Sequence, residues 1–284
     1  MKAASEIAQL AQMACIWEVC APKPGNVTRE HDFSDASMTD FLLSAVAVGP
    51  VFANAASLSI GEIIRQAIAD TRRLVQSNTN LGMVLLLAPL VKACCGASDL
   101  GCVRQNLRAH LGELNVADAR LAYSAIRQAK PGGMGKVPAA DISEEPSITL
   151  LQAMILAQER DSIAREYATA FAITLEIGLP ALRSALAGGA EFSGAIVQAY
   201  LTILSKVPDT LIARKTDVLT ARQVSLRAGE VLNLGGIFSS KGQAALIEMD
   251  RALRDPHHAL NPGATADLST AAIFLALFDS GISI

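Results

Sequence analysis

Ser37-Met38-Thr39-Asp40, the uncharged run from Phe41 to Ile60, and the overlapping Ser59-Ile60-Gly61-Glu62 decide the fold class. Each tetrapeptide sets a hydroxyl at a helix N-cap and a carboxylate three residues later, so the two satisfy each other's backbone N–H groups in a capping box. The run between them has about the length of a membrane-spanning helix. Gly49-Pro50 interrupts it midway, and Ser44, Asn54, Ser57 and Ser59 dilute it, so it reads as a buried core helix and no membrane is expected as a partner. Helical periodicity recurs at about residues 3–20, 79–95, 99–112, 115–129, 147–159, 161–178, 192–206, 217–233, 240–254 and 264–279. No segment alternates with the period of a strand. The expectation is an all-α fold, a single multi-helix globular domain over residues 1–284.

Composition agrees. Hydrophobic residues supply 51% of the chain, charged residues 18% and aromatics 4%, and alanine and leucine favour helices over a sandwich rich in valine and aromatics. A net charge of −3 without a basic run excludes nucleic acid as the main partner, since neutralising phosphates needs clustered Lys and Arg. Cys15, Cys20, Cys94, Cys95 and Cys102 form no C-x-x-C pair and read as small buried hydrophobes of a reducing cytoplasm. Met1 to Ile16 lacks the basic start and continuous apolar block of a secretion signal. The thinly charged surface fits a homodimer.

Outward from the helices lie chemically dense interruptions. Pro22-Lys23-Pro24-Gly25-Asn26-Val27-Thr28-Arg29-Glu30-His31-Asp32-Phe33-Ser34-Asp35 packs cations, a histidine and carboxylates between apolar helices. It serves either as a site for a charged small molecule or as a solvated connection with Ser34 and Asp35 as caps. Ser77-Asn78-Thr79-Asn80-Leu81-Gly82 opens an apolar helix whose N-terminus suits phosphate, although the same residues make an ordinary N-cap. Asn261-Pro262-Gly263-Ala264-Thr265-Ala266-Asp267 turns into a helix that is apolar from Ala271 to Phe278, which sets a carboxylate at the mouth of a buried element. Lys130 to Pro138 is glycine- and proline-rich and reads as a mobile or ligand-facing loop. Asp161 and Arg165 have the i,i+4 spacing of a helix ion pair. The other reading puts Asp161 or Asp209 on a metal, with Arg214 and Lys215 on phosphate in a shared pocket. His110, His257 and His258 show no metal-ligand spacing.

Taken together, Pro22-Lys23-Pro24-Gly25-Asn26-Val27 with His31-Asp32-Phe33, Asn78-Thr79-Asn80-Leu81-Gly82, and Asn261-Pro262-Gly263-Ala264-Thr265-Ala266-Asp267-Leu268 resemble the triphosphoribosyl-dephospho-CoA synthase family, from about residue 5 to 280. Asn80-Leu81-Gly82 stands where members of the citrate-lyase type resemble His-Lys-Gly, and Arg160-Asp161-Ser162-Ile163 where they carry Asp-Asp-Thr-Asn. The chain is more similar to a divergent branch from archaea and one-carbon-metabolising bacteria. The resemblance implies a helical transferase in which the 2′-hydroxyl of 3′-dephospho-CoA displaces adenine from ATP, with Mg²⁺ on the triphosphate. On it, Asp32, Asp35 and Asp267 are expected to hold metal or act as base, and His31, Asp32, Asp161 and Asp209 to be catalytic. Lys23, Arg29, Arg165, Arg214 and Lys215 are expected on phosphate, and Gly25, Asn26, Asn78, Thr79, Asn80, Asn261, Gly263 and Thr265 on the rest of the nucleotide. Two other outcomes are a related ATP-dependent transferase of one-carbon-carrier (methanopterin-type) cofactor synthesis and a non-catalytic nucleotide-binding helical protein.

Overall fold

The computed structural model describes residues 1–133, 135 and 139–280. Their α-helices are α1 (Ala4–Cys20), α2 (Met38–Ala47), α3 (Gly49–Ala53), α4 (Ile60–Leu74), α5 (Leu81–Cys94), α6 (Leu100–Gly112), α7 (Val116–Ala129), α8 (Leu150–Ala157), α9 (Ser162–Ala168), α10 (Leu179–Ala187), α11 (Phe192–Lys206), α12 (Thr210–Lys215), α13 (Val218–Asn233), α14 (Ser240–Leu253) and α15 (Gly263–Ser280). No strand occurs among the described residues, and Thr28 and His31 form one isolated bridge. The expected all-α class holds.

Both capping boxes form: Ser37 N–H donates to Asp40 Oδ2 at 2.8 Å and Ser59 N–H to Glu62 Oε2 at 2.7 Å. The run after Phe41 is not one helix. Gly49-Pro50 ends α2 and starts α3, and a 3₁₀ turn at Ala55–Ser57 follows. No helix among the described residues is long and apolar enough to cross a membrane.

α15 is the axis of the core. Ala271 to Phe278 are all buried, and the helix packs against α1, α5, α10 and α11. A helix apolar on every side needs neighbours on every side, and that requirement sets the layering. α5 beside it carries Pro89 in its interior, which removes the N–H that the Leu85 carbonyl would otherwise accept. The buried Tyr167 hydroxyl on α9 donates to that carbonyl at 2.6 Å, satisfying it and tying α9 to α5.

One expected helix divides. Residues 161–178 form α9, a reversal, and a π-helical turn at Thr174–Gly178 that runs into α10. Neither glycine nor proline marks the reversal, and Ala170 and Phe171 adopt left-handed φ values of 51° and 66°. Glu166 makes it possible. Its fully buried carboxylate accepts from Ile173 N–H at 2.9 Å and from Thr174 N–H at 2.6 Å, capping the new helix start from inside the protein. Burial pushes the Glu166 carboxyl up to about 7, against those hydrogen bonds.

Candidate active site

The cleft forms where helix ends converge. α1 ends at its floor, α5 and α9 begin there, α7 and α12 end there, and the loop from 254 leads across it into α15. Its volume is about 770 Å³, within the range of about 300–1,000 Å³ usual for small-molecule sites.

The Pro22–Asp35 loop is held against the opposite wall by long-range contacts. Gly25 takes φ 76°, and a Cβ there would lie 2.9 Å from Leu253 Cβ, so glycine alone fits this approach. Its N–H donates to Asp250 Oδ1 at 2.8 Å, and Arg254 pairs with the same carboxylate while donating to the Asn26 carbonyl at 3.3 Å. Asn26 Nδ2 donates to the buried Tyr200 hydroxyl at 2.8 Å. Phe33 stacks on His258 with ring centres 4.0 Å apart.

Of the residues expected in the site, Asn26, Asp35, Asn78, Thr79, Asn80, Asp161, Arg214, Lys215, Asn261, Gly263 and Asp267 line this cleft. Three islands far apart in sequence therefore form one surface. Asn78 Oδ1 accepts from Leu81 N–H at 3.3 Å, Thr79 Oγ1 lies 2.5 Å from Ser44 Oγ, and Asn80 Nδ2 donates to Thr71 Oγ1 at 2.9 Å. These bonds fix the entry to α5, whose first residues, Leu81, Gly82 and Met83, line the cleft.

Asp267 projects from the first turns of α15 into the cleft, and no described residue donates a hydrogen bond to its carboxylate. It lies against Gly82, where a Cβ would come 2.0 Å from Oδ2. Burial holds the Asp267 carboxyl well above the usual carboxylate range, and the nearby Glu18, Asp209 and Asp161 add to the effect while Arg214 opposes it. Arg214 Nη1 donates to Asp161 Oδ2 at 2.6 Å, whereas its buried Nε and the buried Asn261 Oδ1 have no partner among the described residues. Both are cleft residues, so a donor and an acceptor stand ready for a ligand. Lys215 Nζ donates to the His258 carbonyl at 2.9 Å. Its partial burial lowers its pKa, against the pull of Asp35, Asp255 and Asp209.

The structure places other expected residues elsewhere. Lys23 is fully buried beneath the loop, with Nζ 2.9 Å from Glu18 Oε1 and donating to the Glu18 and Ala21 carbonyls, so it neutralises Glu18 rather than facing the cleft. Asp32 is exposed and accepts from Met38 N–H at 2.7 Å, which makes it a cap for α2. His31 and Arg29 are exposed and outside the cleft, and Gly25 acts through its backbone. Arg165 is exposed and does not pair with Asp161, whose partner is Arg214. Asp209 accepts from Leu211 and Ile212 N–H with Oδ1 and from Thr265 N–H and Oγ1 with Oδ2, so this buried carboxylate joins α12 to α15 and consumes Thr265 as well. Asp161 Oδ1 is likewise engaged as the cap of α9.

Glu18, Arg72, Lys130, His257 and His258 line the cleft without having been singled out as site residues. Lys130 was within reach of the sequence, because it opens the glycine-rich loop read as ligand-facing. Of that loop, Met134 and residues 136–138 lie outside the described residues. Arg72 carries no signal beyond being basic in the last turn of α4. Among the described residues no group of three or more His, Cys, Asp or Glu side chains is placed to hold a metal ion, and Asp32 does not join Asp267. A metal here would take Asp267 from the protein and its other ligands from substrate and water.

Comparison with known proteins places the chain in a family. The ATP:dephospho-CoA triphosphoribosyl transferase family matches residues 4–283. A Pseudomonas fluorescens protein named as a probable 2-(5''-triphosphoribosyl)-3'-dephosphocoenzyme-A synthase is 26% identical over 295 residues, covering 98% of this chain and 93% of the relative. One of the same name from Pseudomonas syringae pv. tomato is 28% identical and covers 96% of this chain and 91% of the relative. A crystal structure from Archaeoglobus fulgidus, described as that of a "putative triphosphoribosyl-dephospho-coA synthase", superposes with a TM-score of 0.67 at 28% identity, over 84% of this chain and 99% of its own. With a match that spans nearly its whole length, this chain belongs to the ATP:dephospho-CoA triphosphoribosyl transferase family.

Proposed function

We propose that this chain is a pentosyltransferase that moves the triphosphoribosyl group of ATP onto the 2′-hydroxyl of 3′-dephospho-CoA and releases adenine. The C1′–N9 bond of ATP breaks and adenine keeps the electron pair. The acceptor oxygen bonds to C1′, and its proton leaves to a base or, through water, to adenine. The observation that carries the reading is the single cleft in which Asp267 and Glu18 face a set of cations, Arg72, Lys130, Arg214 and Lys215.

The cations suit a triphosphate, and Arg214 Nε, without a partner among the described residues, is a donor held ready for it. Positive charge grows at C1′ as the glycosidic bond lengthens, and an ionised carboxylate at that point stabilises it. Asp267 is the candidate, because its oxygens are not consumed by capping as those of Asp161 and Asp209 are. Asn261 Oδ1 is an acceptor for a ribose hydroxyl or the amino group of the base. Mg²⁺ bound with the triphosphate would neutralise phosphate charge and restore the ionised form of Asp267. A cytoplasmic location belongs to this reading, supported by five cysteines that are all free thiols. So does a homodimer, supported by Val218, Leu219 and Leu226 exposed on α13.

The test is incubation of the purified protein with Mg-ATP and dephospho-CoA, followed by chromatography of the bases and nucleotides. Adenine should appear in equal amount with the new dephospho-CoA derivative. Formation of ADP or AMP without adenine would overturn the proposal.

A further inference from the structure

Beside the cleft lies a second, smaller cavity of about 210 Å³. Its wall is mostly apolar and comes mainly from α7, α8 and α9, through Tyr123, Leu150, Ala153, Met154, Ala157 and Ile163. Tyr123 adds no free polar group, since its hydroxyl donates to the Ala140 carbonyl at 2.9 Å. The two cavities share Leu85, Ile126, Asp161, Ile163 and Arg214, so the Asp161–Arg214 ion pair stands at their junction. On one side of that pair the walls mix charged, polar and apolar residues; on the other they are mostly apolar, with Asp141 and Arg160 as the further charged residues.

We infer that this chamber receives the apolar part of the pantetheine arm of the acceptor. The inference rests on the proposed reaction and goes beyond it by dividing the site in two. Both substrates carry adenosine and phosphate, and these match the charged cleft. Only dephospho-CoA also carries a long arm with methylenes and a geminal dimethyl group, and of the two cavities the chamber is the one whose lining is mostly apolar. ATP has no group that would gain by entering it. With the arm in the chamber, the diphosphate of the acceptor passes the junction, where Arg214 is the cation. The chamber then acts as the specificity element that separates a pantetheine-bearing acceptor from a plain nucleotide with the same 2′-hydroxyl.

ADP is the fitting probe, because it is dephospho-CoA without the arm. Calorimetry on the full chain should show dephospho-CoA binding at least about tenfold more tightly than ADP, as expected when even a methylene or two is withdrawn from a hydrophobic pocket. Ala153→Leu and, separately, Ala157→Leu put extra carbon into the chamber and should abolish that preference while leaving ADP binding unchanged; thermal melting identifies a variant that has not folded. Equal binding of ADP and dephospho-CoA by the unmodified protein overturns the inference, whatever the variants do. So does an unchanged preference in both folded variants. Adenine release is followed in parallel: release with no preference for the arm retains the reaction and removes the chamber's role. A preference for the arm without adenine release retains the chamber's role and removes the reaction.

Discussion

Gly82→Ala separates the geometry of the cleft from the stability of the helix that bears it. In an ordinary helix this change stabilises by roughly 0.5–1 kcal/mol, because alanine loses less backbone freedom on folding. Here the new Cβ would sit 2.0 Å from Asp267 Oδ2 and 2.4 Å from its Cγ. Relief to ordinary contact moves the carboxylate by about 1 Å or more, at a cost of about 1–3 kcal/mol for overpacking. The two terms nearly cancel, so the melting temperature should stay within a few degrees. Activity should not survive so well: a catalytic group misplaced by about 1 Å costs on the order of 100-fold, or about 2.7 kcal/mol in the barrier. The assay is adenine release under saturating Mg-ATP and dephospho-CoA, beside a melting curve. Gly112→Ala is the control, because a Cβ at Gly112 meets nothing within 4 Å. It should gain a fraction of a kcal/mol and keep full turnover. A Gly82→Ala protein with unimpaired kcat/KM would refute the assignment of Asp267 to the reaction centre.

Asp32→Ala frees only the Met38 N–H and leaves the Ser37–Asp40 capping box in place, so it should lose no more than about 1 kcal/mol of stability and keep turnover near that of the unmodified protein, as urea melts and adenine release will show. Asp267→Asn should lower turnover by two orders of magnitude or more without unfolding. Because burial and neighbouring carboxylates raise the Asp267 pKa, Mg-ATP binding that restores its ionised form should release protons, and calorimetry in buffers of different ionisation enthalpy should find that release gone in Asp267→Asn. Glu166 gives a stability signature with a fixed sign. Its folded pKa, about 7, exceeds the value of 4.5 expected of an unfolded chain, so between those pH values the folded state binds more protons and stability falls as pH rises. The penalty should level off above the folded value at on the order of 3 kcal/mol. Chemical denaturation from pH 4.5 to 7.5 should show this slope reduced in Glu166→Gln relative to the unmodified protein.

The helical class was legible because it rests on local signals, whereas the grouping of the three islands was legible only through the family resemblance. Capping boxes announce α2 and α4, and Asn-Pro-Gly announces α15. What the sequence concealed depends on partners distant along the chain. The reversal after α9 contains neither glycine nor proline, because its strain is offset by a buried carboxylate three residues before the turn rather than by the turn residues themselves. Asp209 looked like a catalytic aspartate for the same reason: its role is decided by Thr265, which only the folded chain brings beside it.

Lys23 carries the argument furthest. A lysine between two prolines, in a loop of this composition, has the makings of a phosphate ligand, yet it is fully buried and paired with Glu18. A buried ion pair is seldom a net source of stability, but removing one partner leaves an uncompensated charge that costs about 3–5 kcal/mol. Glu18 remains at the edge of the cleft, where burial raises its pKa and Lys23 draws it back down. Lys23 thus acts on the cleft from below: it opposes the effect of burial on Glu18, and negative charge on Glu18 raises Asp267 in turn. The loop therefore supplies a cation to the electrostatics of the site without supplying one to its surface, and the cations that face the ligand come instead from the ends of α4, α7 and α12.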